Sequence, residues 1–416
     1  MADTILTLNG GSSSIKFSLF EVEGSNSLRL ASHGEVEGIG SAPRFVACDV
    51  ATALLDERSW SDPNKTYRSL VEHVVGWAEA HLGADKLIGV GHRVVHGGPD
   101  HNRPERATPE LLAALDRLTP LAPLHEPHNI APIRAIAAVR PMLPQIACFD
   151  TAFHHVMPAV ATRFALPPEY EASGVRRYGF HGLSYEYIAG RLRGLAPDLA
   201  EGRIIAAHLG NGASLCAMRR GCSVDTTMGF TALDGLMMGT RCGNLDPGVV
   251  LYLEEERGLT AKQIEDLLYR RSGLLGVSGG IASDMRILLS SADPRARDAI
   301  ELFVFRIARE IGALTSSLNG LDGLVFTAGI GENAPAIRAM VCARLGWLGV
   351  KLDCDANARN AAIISTPSSS VAVRVIPTDE EAMIARHTLD AIRPPASASC
   401  GDDECSAQLV AGKISS

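Results

Sequence analysis

Three glycine-rich segments of the chain carry Asn, Lys or His among small side chains. They are Asn9–Lys16, His208–Gly212 and Ala328–Asn333. Backbone N–H groups in such turns can converge on an anion, and small side chains let a phosphate approach closely. One such segment is most often a simple tight turn, but the three together predict a phosphate-binding site.

The first segment is not a Walker A loop. Its lysine, Lys16, does not follow a glycine at the required spacing, and a second strand, Ile15–Phe20, takes the place of the expected helix. The lysine adds positive charge and the serines add hydrogen-bond donors, so the segment is a candidate for another kind of anion loop.

The third segment has a rival interpretation. It follows the apolar strand Leu324–Thr327, precedes the helical run Pro335–Leu345, and has the glycine spacing of a dinucleotide fingerprint with Asp353 at a suitable distance. A single match of this kind is weak, and little chain follows it to complete a dinucleotide-binding fold. A nucleotide loop that acts with the other two segments accounts for all three.

Charged side chains also occur where a core would not favour them. Asp150 follows the apolar run Ile146–Phe149, and α/β sheets place ligands at such strand ends. The others are Arg93 within Gly91–Gly98, His181 within Arg176–Gly182, Arg241 within Met237–Asn244, and Glu380 after the strand Val371–Ile376. The alternative for each is an ordinary helix cap, a surface ion pair or a histidine bonded to backbone.

His125 and His128 are close enough in sequence to suggest a metal-binding pair. Pro127 and the loop context disfavour a helical pair, and no cysteine lies nearby. We expect His128 to pack at the entry of a helix.

These residues must be positioned by alternating strands and helices. The predicted strands are Thr4–Leu8, Ile15–Phe20, Ile88–Val95, Gln145–Phe149, Ile204–Leu209, Leu215–Met218, Gly323–Thr327 and Val371–Ile376. The predicted helices are Lys65–Leu82, Pro109–Leu118, Thr260–Leu268, Ala296–Leu318 and Pro335–Leu345. The alternation predicts α/β layers.

A strand–turn–strand unit occurs twice. Thr4–Phe20 and Ile204–Met218 each have a β-run, a turn of Gly, Asn and Ser, and a second β-run. The similarity indicates either an internal duplication of a sheet-containing domain or two hairpins that are alike by chance.

Length and composition bound the class of protein. The chain has 416 residues, of which 46% are hydrophobic and 21% charged, which suits two globular lobes. No run approaches the ~20 apolar residues that span a bilayer, and the N-terminus lacks a signal-peptide pattern. We therefore expect a cytoplasmic protein that does not bind membranes.

Charge and cysteine usage exclude further classes. The formal net charge is −8, so a global basic field for nucleic acid is missing, and an anionic substrate would need a local arginine cluster. The nine cysteines are scattered and form no C-x-x-C motif, which favours reduced thiols over a disulfide framework or a zinc site.

Taken together, the motifs resemble the acetate kinase family, in the acetokinase branch of the actin-like ATPase superfamily. The similarity runs from about Thr4 to about Leu389. The family's opening Asn-x-Gly-Ser-Ser-Ser-x-Lys is here Asn9–Lys16, and its second signature is Asp225–Arg241. His-Arg-x-Val-His-Gly-Gly, Phe-Asp-Thr-Ala-Phe-His, Arg-Tyr-Gly-Phe-His-Gly, His-Leu-Gly-Asn-Gly, Ser-Asp-Met-Arg, Gly-Ile-Gly-Glu-Asn and Pro-Thr-Asp-Glu-Glu also occur in the family's order.

The resemblance implies an α/β fold of two duplicated actin-like, ribonuclease H-like lobes with a central cleft. It implies an N-terminal lobe over 1–150 completed by a helix at 380–392, and a nucleotide-binding lobe over 151–392. The small and polar composition from Pro394 onward separately predicts a disordered tail at 393–416. It also implies reversible phosphoryl transfer between ATP and acetate, giving acetyl phosphate and ADP, with Mg²⁺ (or Mn²⁺) and usually a homodimer.

The resemblance assigns roles residue by residue. The implied ATP ligands are Ser12, Ser14, Lys16, His208, Leu209, Gly210, Asn211, Gly212, Asp284, Met285, Arg286, Gly329, Ile330, Gly331, Glu332 and Asn333. The implied carboxylate site comprises Arg93, Val95, Leu124, His125, Phe180 and Ala232. Asn9 and Glu380 would serve the metal. The implied catalytic residues are Arg93, which holds the carboxylate, His181 and Arg241, which stabilise the transition state, and Asp150 at the acid/base position.

Physical chemistry limits the role of Asp150. Acetate is already ionised at neutral pH, so its attack leaves no proton for a base to remove. We expect Asp150 to orient a magnesium-bound water or an arginine instead.

The chain departs from the family pattern at several positions. Glu126 and His128 replace the usual Asn and Pro, Leu183 and Tyr185 replace Thr and His, Asn244 replaces Asp, and Ala232 replaces a proline of the acetate pocket. Loss of that proline ring predicts a larger pocket that accepts propionate more readily. A propionate or butyrate kinase is the nearest alternative, and a non-kinase actin-like ATP-binding protein is the alternative from another class.

Overall fold

A computed structural model of the chain describes residues 2–11, 13–24, 27–62, 65–83, 85–122 and 125–393. Two of the candidate site residues, Ser12 and Leu124, lie outside these ranges. So does the predicted disordered tail, 393–416, apart from Arg393.

The chain divides into two compact units. Among the described residues, unit 1 runs to Ala152 and resumes at Asp379, and unit 2 runs from Phe153 to Thr378. The chain thus leaves unit 1 once and returns to it for the last helix. The sequence-based expectation placed the boundary after residue 150 and assigned the helix 380–392 to the N-terminal lobe.

Each unit contains one mixed sheet. The strands of the described residues are β1 (Asp3–Gly10), β2 (Ile15–Glu23), β3 (Ser27–Glu37), β4 (Arg44–Asp49), β5 (Leu54–Ser59), β6 (Lys86–Val94), β7 (Glu105–Arg106), β8 (Gln145–Phe149), β9 (Arg203–Leu209), β10 (Ala213–Arg219), β11 (Cys222–Thr226), β12 (Gly323–Thr327) and β13 (Ala372–Val375). Their order is β5-β4-β3-β2-β1-β6-β8-β7 in unit 1 and β11-β10-β9-β12-β13 in unit 2.

The helices account for most of the remaining chain. Those of the described residues are α1 (Tyr67–Leu82), α2 (Pro109–Leu118), α3 (Glu126–Val139), α4 (Ala159–Thr162), α5 (Pro168–Ala172), α6 (Gly182–Leu195), α7 (Pro197–Ala200), α8 (Pro247–Glu255), α9 (Ala261–Arg270), α10 (Gly273–Val277), α11 (Met285–Ser290), α12 (Pro294–Leu318), α13 (Ala328–Asn333), α14 (Pro335–Arg344), α15 (Cys354–Ala358) and α16 (Glu380–Ile392). The helix α16 belongs to unit 1.

Five strands of the unit 1 sheet have the same topology as the five strands of the unit 2 sheet. In unit 1, β1 pairs antiparallel with β2, β2 antiparallel with β3, and β6 and β8 follow in parallel on the other side of β1. In unit 2, β9, β10 and β11 repeat the antiparallel part, and β12 and β13 repeat the parallel part. The shared arrangement favours internal duplication over a chance similarity of two hairpins, and the expectation of duplicated actin-like α/β lobes is confirmed.

Helices cover both faces of the unit 1 sheet. On one face, Leu6 and Phe17 pack with Leu70 and Val74 of α1 in a single core cluster. On the other face α16 lies so close to β6 that a Cβ at Gly91 would stand 2.2 Å from Thr388 Oγ1. Each fully buried aliphatic or aromatic side chain stabilises the fold by roughly 1.5–3 kcal/mol. Burial on both faces therefore holds in place the strand ends that carry the polar residues.

Helix starts follow capping more than apolar periodicity. The helix predicted at Lys65–Leu82 begins at Tyr67, because the side chain of Thr66 accepts a hydrogen bond from the Ser69 N–H. The helix predicted from Ala296 begins at Pro294 for the same reason, with Asp293 as the cap. His128 lies in the first turn of α3, as the helix-entry interpretation expects.

The third glycine-rich segment differs from its predicted form. The sequence predicts a turn over Ala328–Asn333, whereas these residues form the short helix α13. Ala328 adopts a left-handed conformation, with φ of 64°, and its N–H donates to Glu332 Oε1 at 2.7 Å. The side chain of Glu332 thereby replaces the missing helical acceptor of the first turn.

The cysteines and the helices bear on two further expectations. Free thiols are found at Cys48, Cys148, Cys216, Cys242, Cys342 and Cys354. Within the described ranges, no helix has the length and apolar character that crossing a membrane requires.

Candidate active site

Arg93 and Asp150 meet at the carboxyl ends of two adjacent parallel strands. Arg93 lies near the end of β6, and Asp150 directly follows β8. Arg93 Nη2 donates to Asp150 Oδ2 at 2.6 Å, and Arg93 Nε donates to Asp150 Oδ1 at 3.1 Å. This two-point pairing fixes the plane of the guanidinium, since Asp150 is only 1% exposed and has little freedom to move.

Other carboxylates surround the same guanidinium. Glu380 Oε2, at the first position of α16, lies 3.7 Å from Arg93 Nε. Burial opposes the charge of Arg93, but Asp150, Glu380 and Glu381 outweigh it and hold the pKa of the guanidinium above its usual value. Arg93 therefore stays cationic, and its Nη1 has no hydrogen-bond partner within the described part of the chain.

The donors expected for a metal are also in unit 1. Asn9 pairs with Lys16 across the β1–β2 hairpin, and Glu380 begins α16. Burial, then the charges of Glu380 and Asp379, raise the pKa of Glu381. Such an excess of negative charge, with amide and carboxylate oxygens at hand, suits a hard divalent cation.

No three His, Cys, Asp or Glu side chains of the described residues gather as a metal cluster. Mg²⁺ bound with phosphates usually takes only one or two protein oxygens and completes its shell with water, so a site for it needs no such cluster. Mn²⁺ accepts the same oxygen donors.

Glu126 is a buried acid beside this constellation. It is 0% exposed at the start of α3, and within the described part of the chain neither carboxylate oxygen meets the geometry of a normal hydrogen bond. Burial raises the pKa of Glu126 to about 8, the backbone of His96 opposes the shift, and the charge of Asp150 adds to it. Glu126 is thus protonated at neutral pH, which makes the departure from the family's Asn tolerable.

The first glycine-rich loop is tied to the strand that carries Arg93. The amide of Asn129 donates to Gly10 O at 2.8 Å and accepts from the Val95 N–H at 2.9 Å. Within the turn, the Gly11 N–H donates to Ser14 O at 2.8 Å. Lys16 is exposed, so its ammonium is accessible to an anionic ligand.

In unit 2, His181 stands at the N-cap of α6 in a left-handed conformation, with φ of 59°. Its Nδ1 lies 2.8 Å from Ser214 Oγ on β10, and its ring stacks on the ring of His208 at 4.2 Å. Left-handed non-glycine residues are uncommon and cluster at functional sites.

Arg241 and His181 converge on Gly212. A Cβ at Gly212 would lie 2.9 Å from Arg241 Nη2 and 3.2 Å from His181 Nε2, so only glycine leaves both groups room. Arg241 Nη1 donates to Ala232 O at 2.6 Å, which directs the guanidinium. The second glycine-rich loop thus brings a cation and an imidazole together.

A cavity of about 490 Å³ adjoins this loop. It is lined by Gly210, Asn211, Ser283, Asp284, Met285, Arg286, Leu289, Gly329, Ile330, Asn333 and Ala334. The cavity combines the loop 210–211, the start of α11 and the helix α13, with apolar walls and convergent polar groups, as small-molecule sites do.

Some residues of the predicted nucleotide set do not line the cavity. Leu209 is fully buried in β9, Gly331 O accepts from Arg338, and Glu332 Oε1 accepts from the backbone of Ala328 and Thr378. The contacts of Gly331 and Glu332 hold the segment Ala328–Asn333 in place on the side away from the cavity.

Asp284 shapes the wall opposite. It caps α11 and accepts from the side chain and backbone of Arg286, and these hydrogen bonds hold its pKa at about 2. Arg286 is mostly exposed, at 90% of its side chain, so a ligand can reach its guanidinium.

The predicted carboxylate residues fall in both units. Arg93, Val95 and His125 belong to unit 1, whereas Phe180 and Ala232 belong to unit 2. Val95 and Phe180 are buried, at 4% and 1% exposure. Ala232 is partly exposed and its carbonyl holds Arg241.

The sequence model of the acetokinase family matches residues 4–386 of the chain. The chain belongs to the acetokinase family. It is 56% identical over 393 residues to the acetate kinase of Rhodopseudomonas palustris, covering 93% of this chain and 98% of that protein.

Two solved structures are also similar to the chain over nearly its whole length. The acetate kinase of Porphyromonas gingivalis has a TM-score of 0.83 at 36% identity and covers 94% of this chain and 100% of that one. The propionate kinase of Francisella tularensis has a TM-score of 0.86 at 36% identity and covers 93% and 99%. The chain therefore resembles both an acetate and a propionate kinase over nearly its whole length.

Sequence reasoning missed several residues of this acetokinase site. Asn129, Ser184 and Ser214 have no motif of their own, and Tyr185 was noted only as a departure from the family pattern. Ser283 and Leu289 line the cavity beside the predicted residues. For the serines and Asn129 the one available signal was a small polar residue inside an apolar or glycine-rich run.

Proposed function

We propose that this acetokinase is an acetate kinase, which transfers the γ-phosphoryl group of ATP reversibly to acetate by direct in-line displacement and gives acetyl phosphate and ADP. The observation that carries the proposal is the 56% identity with an acetate kinase over 93% of the chain. The arginines and His181 supply the kind of charge stabilisation that phosphoryl transfer requires.

Arg93 holds the acceptor. Asp150 occupies Nε and Nη2 of the guanidinium, which leaves Nη1 directed to the carboxylate of acetate. The acetate oxygen that attacks is anionic and needs no base. Asp150 therefore acts on Arg93 and not on a proton.

His181 and Arg241 act on the transferred group. Its equatorial oxygens carry the negative charge of the transition state, and fixed donors lower the barrier most when they are already in place. The convergence of the two side chains at Gly212 supports this role. The neighbouring cavity takes the nucleotide, with Asp284–Arg286 and Gly329–Asn333 around it.

Asn9 and Glu380 hold Mg²⁺, or Mn²⁺ in its place, together with the phosphates. When bound, the ion neutralises charge on the nucleotide's phosphate oxygens. The proposed compartment is the cytoplasm, where ATP is available.

The test is an acyl hydroxamate assay on the purified chain with ATP, Mg²⁺ and acetate, propionate or butyrate. Acetate is expected to give the highest kcat/KM, propionate less and butyrate least, because the identity with an acetate kinase favours the shortest acid. A higher kcat/KM for propionate would make the chain a propionate kinase. ATP binding without hydroxamate from any acid would identify a nucleotide-binding protein that is not a kinase.

The matched variant for the acid preference is Ala232→Pro, which restores the residue usual in the family. One methylene is worth ~1–3 kcal/mol in discrimination, so the proline is expected to lower kcat/KM for propionate relative to acetate by about tenfold. An unchanged or higher propionate-to-acetate ratio in Ala232→Pro would show that position 232 does not select the acid.

The proposed assembly is a homodimer. The helix α8 buries none of its residues within the described chain, and Leu251 and Tyr252 are 54% and 51% exposed. Exposed apolar side chains grouped on one helix mark an interaction surface, and a second copy of the chain is the partner proposed for it.

Sedimentation analysis tests this surface. Leu251→Glu is expected to convert the dimer to a monomer, because a charge on the buried face of an interface is costly. Val160→Glu is the control, since Val160 is 87% exposed on α4. If Leu251→Glu sediments as the wild-type dimer does, α8 is not the interface.

A further inference from the structure

A chain of hydroxyl groups runs from the core of unit 2 to His181. Tyr185 is 0% exposed on α6, one turn after His181, and its hydroxyl lies 2.5 Å from Ser214 Oγ. Ser214 is also 0% exposed, and its Oγ lies 2.8 Å from His181 Nδ1.

The direction of these hydrogen bonds follows from the donors. A phenol is more acidic than an aliphatic hydroxyl, so Tyr185 donates to Ser214 Oγ. Ser214 then donates its single proton to His181 Nδ1. An imidazole that accepts at Nδ1 carries its proton at Nε2.

Nε2 is the nitrogen that faces the reaction. It is the His181 atom nearest to Gly212, where Arg241 Nη2 also converges. A proton at Nε2 makes His181 a donor toward the phosphoryl oxygens, whereas the other tautomer would present a lone pair to them and repel negative charge. The tautomer therefore decides whether His181 helps or hinders.

A second hydroxyl pair supports the ring from its other side. His208 stacks on His181 with 16° between the ring planes, and its own Nδ1 lies 2.8 Å from Ser184 Oγ. Ser184 in turn lies 2.8 Å from Thr378 Oγ1. This pair fixes the position of the His208 ring, whereas Ser214 is the hydroxyl that lies at His181 Nδ1.

We propose that Tyr185 is a positioning residue that acts through Ser214 to hold His181 as its Nε2–H tautomer, ready to donate to the transferred phosphoryl group. The proposal rests on the proposed kinase function for its effect on rate. The hydrogen-bonded arrangement itself does not depend on that function.

The experiment compares Tyr185→Phe with the wild type. Without the phenol hydroxyl, the hydrogen bond between Ser214 and His181 can reverse its direction, so that Ser214 Oγ accepts from Nδ1–H. Both tautomers of His181 then become populated. One net hydrogen bond is worth about 1 kcal/mol, so kcat is expected to fall about fivefold while KM for ATP and acetate changes less than about twofold. Ser214→Ala is expected to lower kcat similarly, and Tyr185→Phe combined with Ser214→Ala no further.

Tyr178→Phe is the matched control. It removes another tyrosine hydroxyl of unit 2, which donates to Gly174 O at 2.8 Å and not to Ser214. The kcat of Tyr178→Phe is therefore expected to stay near the wild-type value. Thermal unfolding of each variant shows whether a loss of kcat reflects misfolding.

Nitrogen-15 NMR of the histidine rings gives a readout that does not require turnover. The His181 signals, identified by their loss in His181→Gln, are expected to show protonated Nε2 and unprotonated Nδ1 in the wild type and a mixture in Tyr185→Phe. An unchanged tautomer together with unchanged kcat in Tyr185→Phe would overturn the proposal. A wild-type chain without kinase activity but with the expected tautomer would instead count against the proposed function alone.

Discussion

Replacement of Asp150 by asparagine is expected to lower kcat/KM for acetate by about a hundredfold, because a misplaced catalytic group costs on that order. The amide keeps the shape of the side chain but loses the charge and one of the two acceptors that align Arg93. The magnesium dependence is expected to remain normal, since Asp150 acts on the arginine. Steady-state kinetics at varied acetate and Mg²⁺ measure both.

A double-mutant cycle separates this role from that of a general base. Arg93→Lys removes the fork that Asp150 aligns, so Arg93→Lys combined with Asp150→Asn is expected to lose little more than Arg93→Lys alone. Fully additive losses would mean that Asp150 acts on acetate or metal independently of Arg93. Asp293→Asn serves as a control, because Asp293 caps α12 on the exterior of unit 2.

The second large effect concerns stability at Glu126. The pKa of this buried acid is about 8 in the folded chain, against an ordinary value of 4.5. Below pH 4.5 both folded and unfolded chains are protonated and nothing is lost. As pH rises to about 8 only the unfolded chain releases the proton, so folding stability falls, by about 5 kcal/mol at most. Above pH 8 the penalty is complete.

Glu126→Gln removes the titrating proton while it keeps the shape of the protonated acid. The variant is expected to unfold near the wild-type temperature at pH 5 and several degrees above it at pH 9, as measured by thermal denaturation across that range. Glu201→Gln, on an exposed glutamate, is the control and should show no such trend. A Tm difference that stays constant from pH 5 to pH 9 would contradict the buried-acid account.

The buried strands were predictable from sequence because their apolar runs are continuous. Gln145–Phe149 and Gly323–Thr327 have the predicted bounds, and both are buried along their whole length. The strands β3 and β4 were also missed, and β5 was missed for the opposite reason. All six residues of β5 are exposed, so no alternation or apolar run marks it.

The charged residues at strand ends were also predictable, since parallel neighbours end at one edge of a sheet. Arg93 and Asp150 meet there as that geometry requires. The hydroxyl chain behind His181 was not predictable from residue types alone. It depends on the pairing of β9 with β10, which sets Ser214 opposite His208, and on the start of α6.

The roles of the individual site residues remain predictions. The contacts support an arrangement in which the protein positions and neutralises and makes no covalent bond to phosphorus. Asp150 is occupied by Arg93, and His181 Nδ1 is engaged by Ser214. We therefore expect phosphoryl transfer by this arrangement to be a single displacement.

The stereochemistry of transfer tests that central claim most directly. ATP whose γ-phosphorus is made chiral with three oxygen isotopes would be turned over with acetate, and the configuration of the acetyl phosphate determined. A single in-line displacement predicts inversion at phosphorus. Retention would require a phosphorylated enzyme intermediate and would contradict the account.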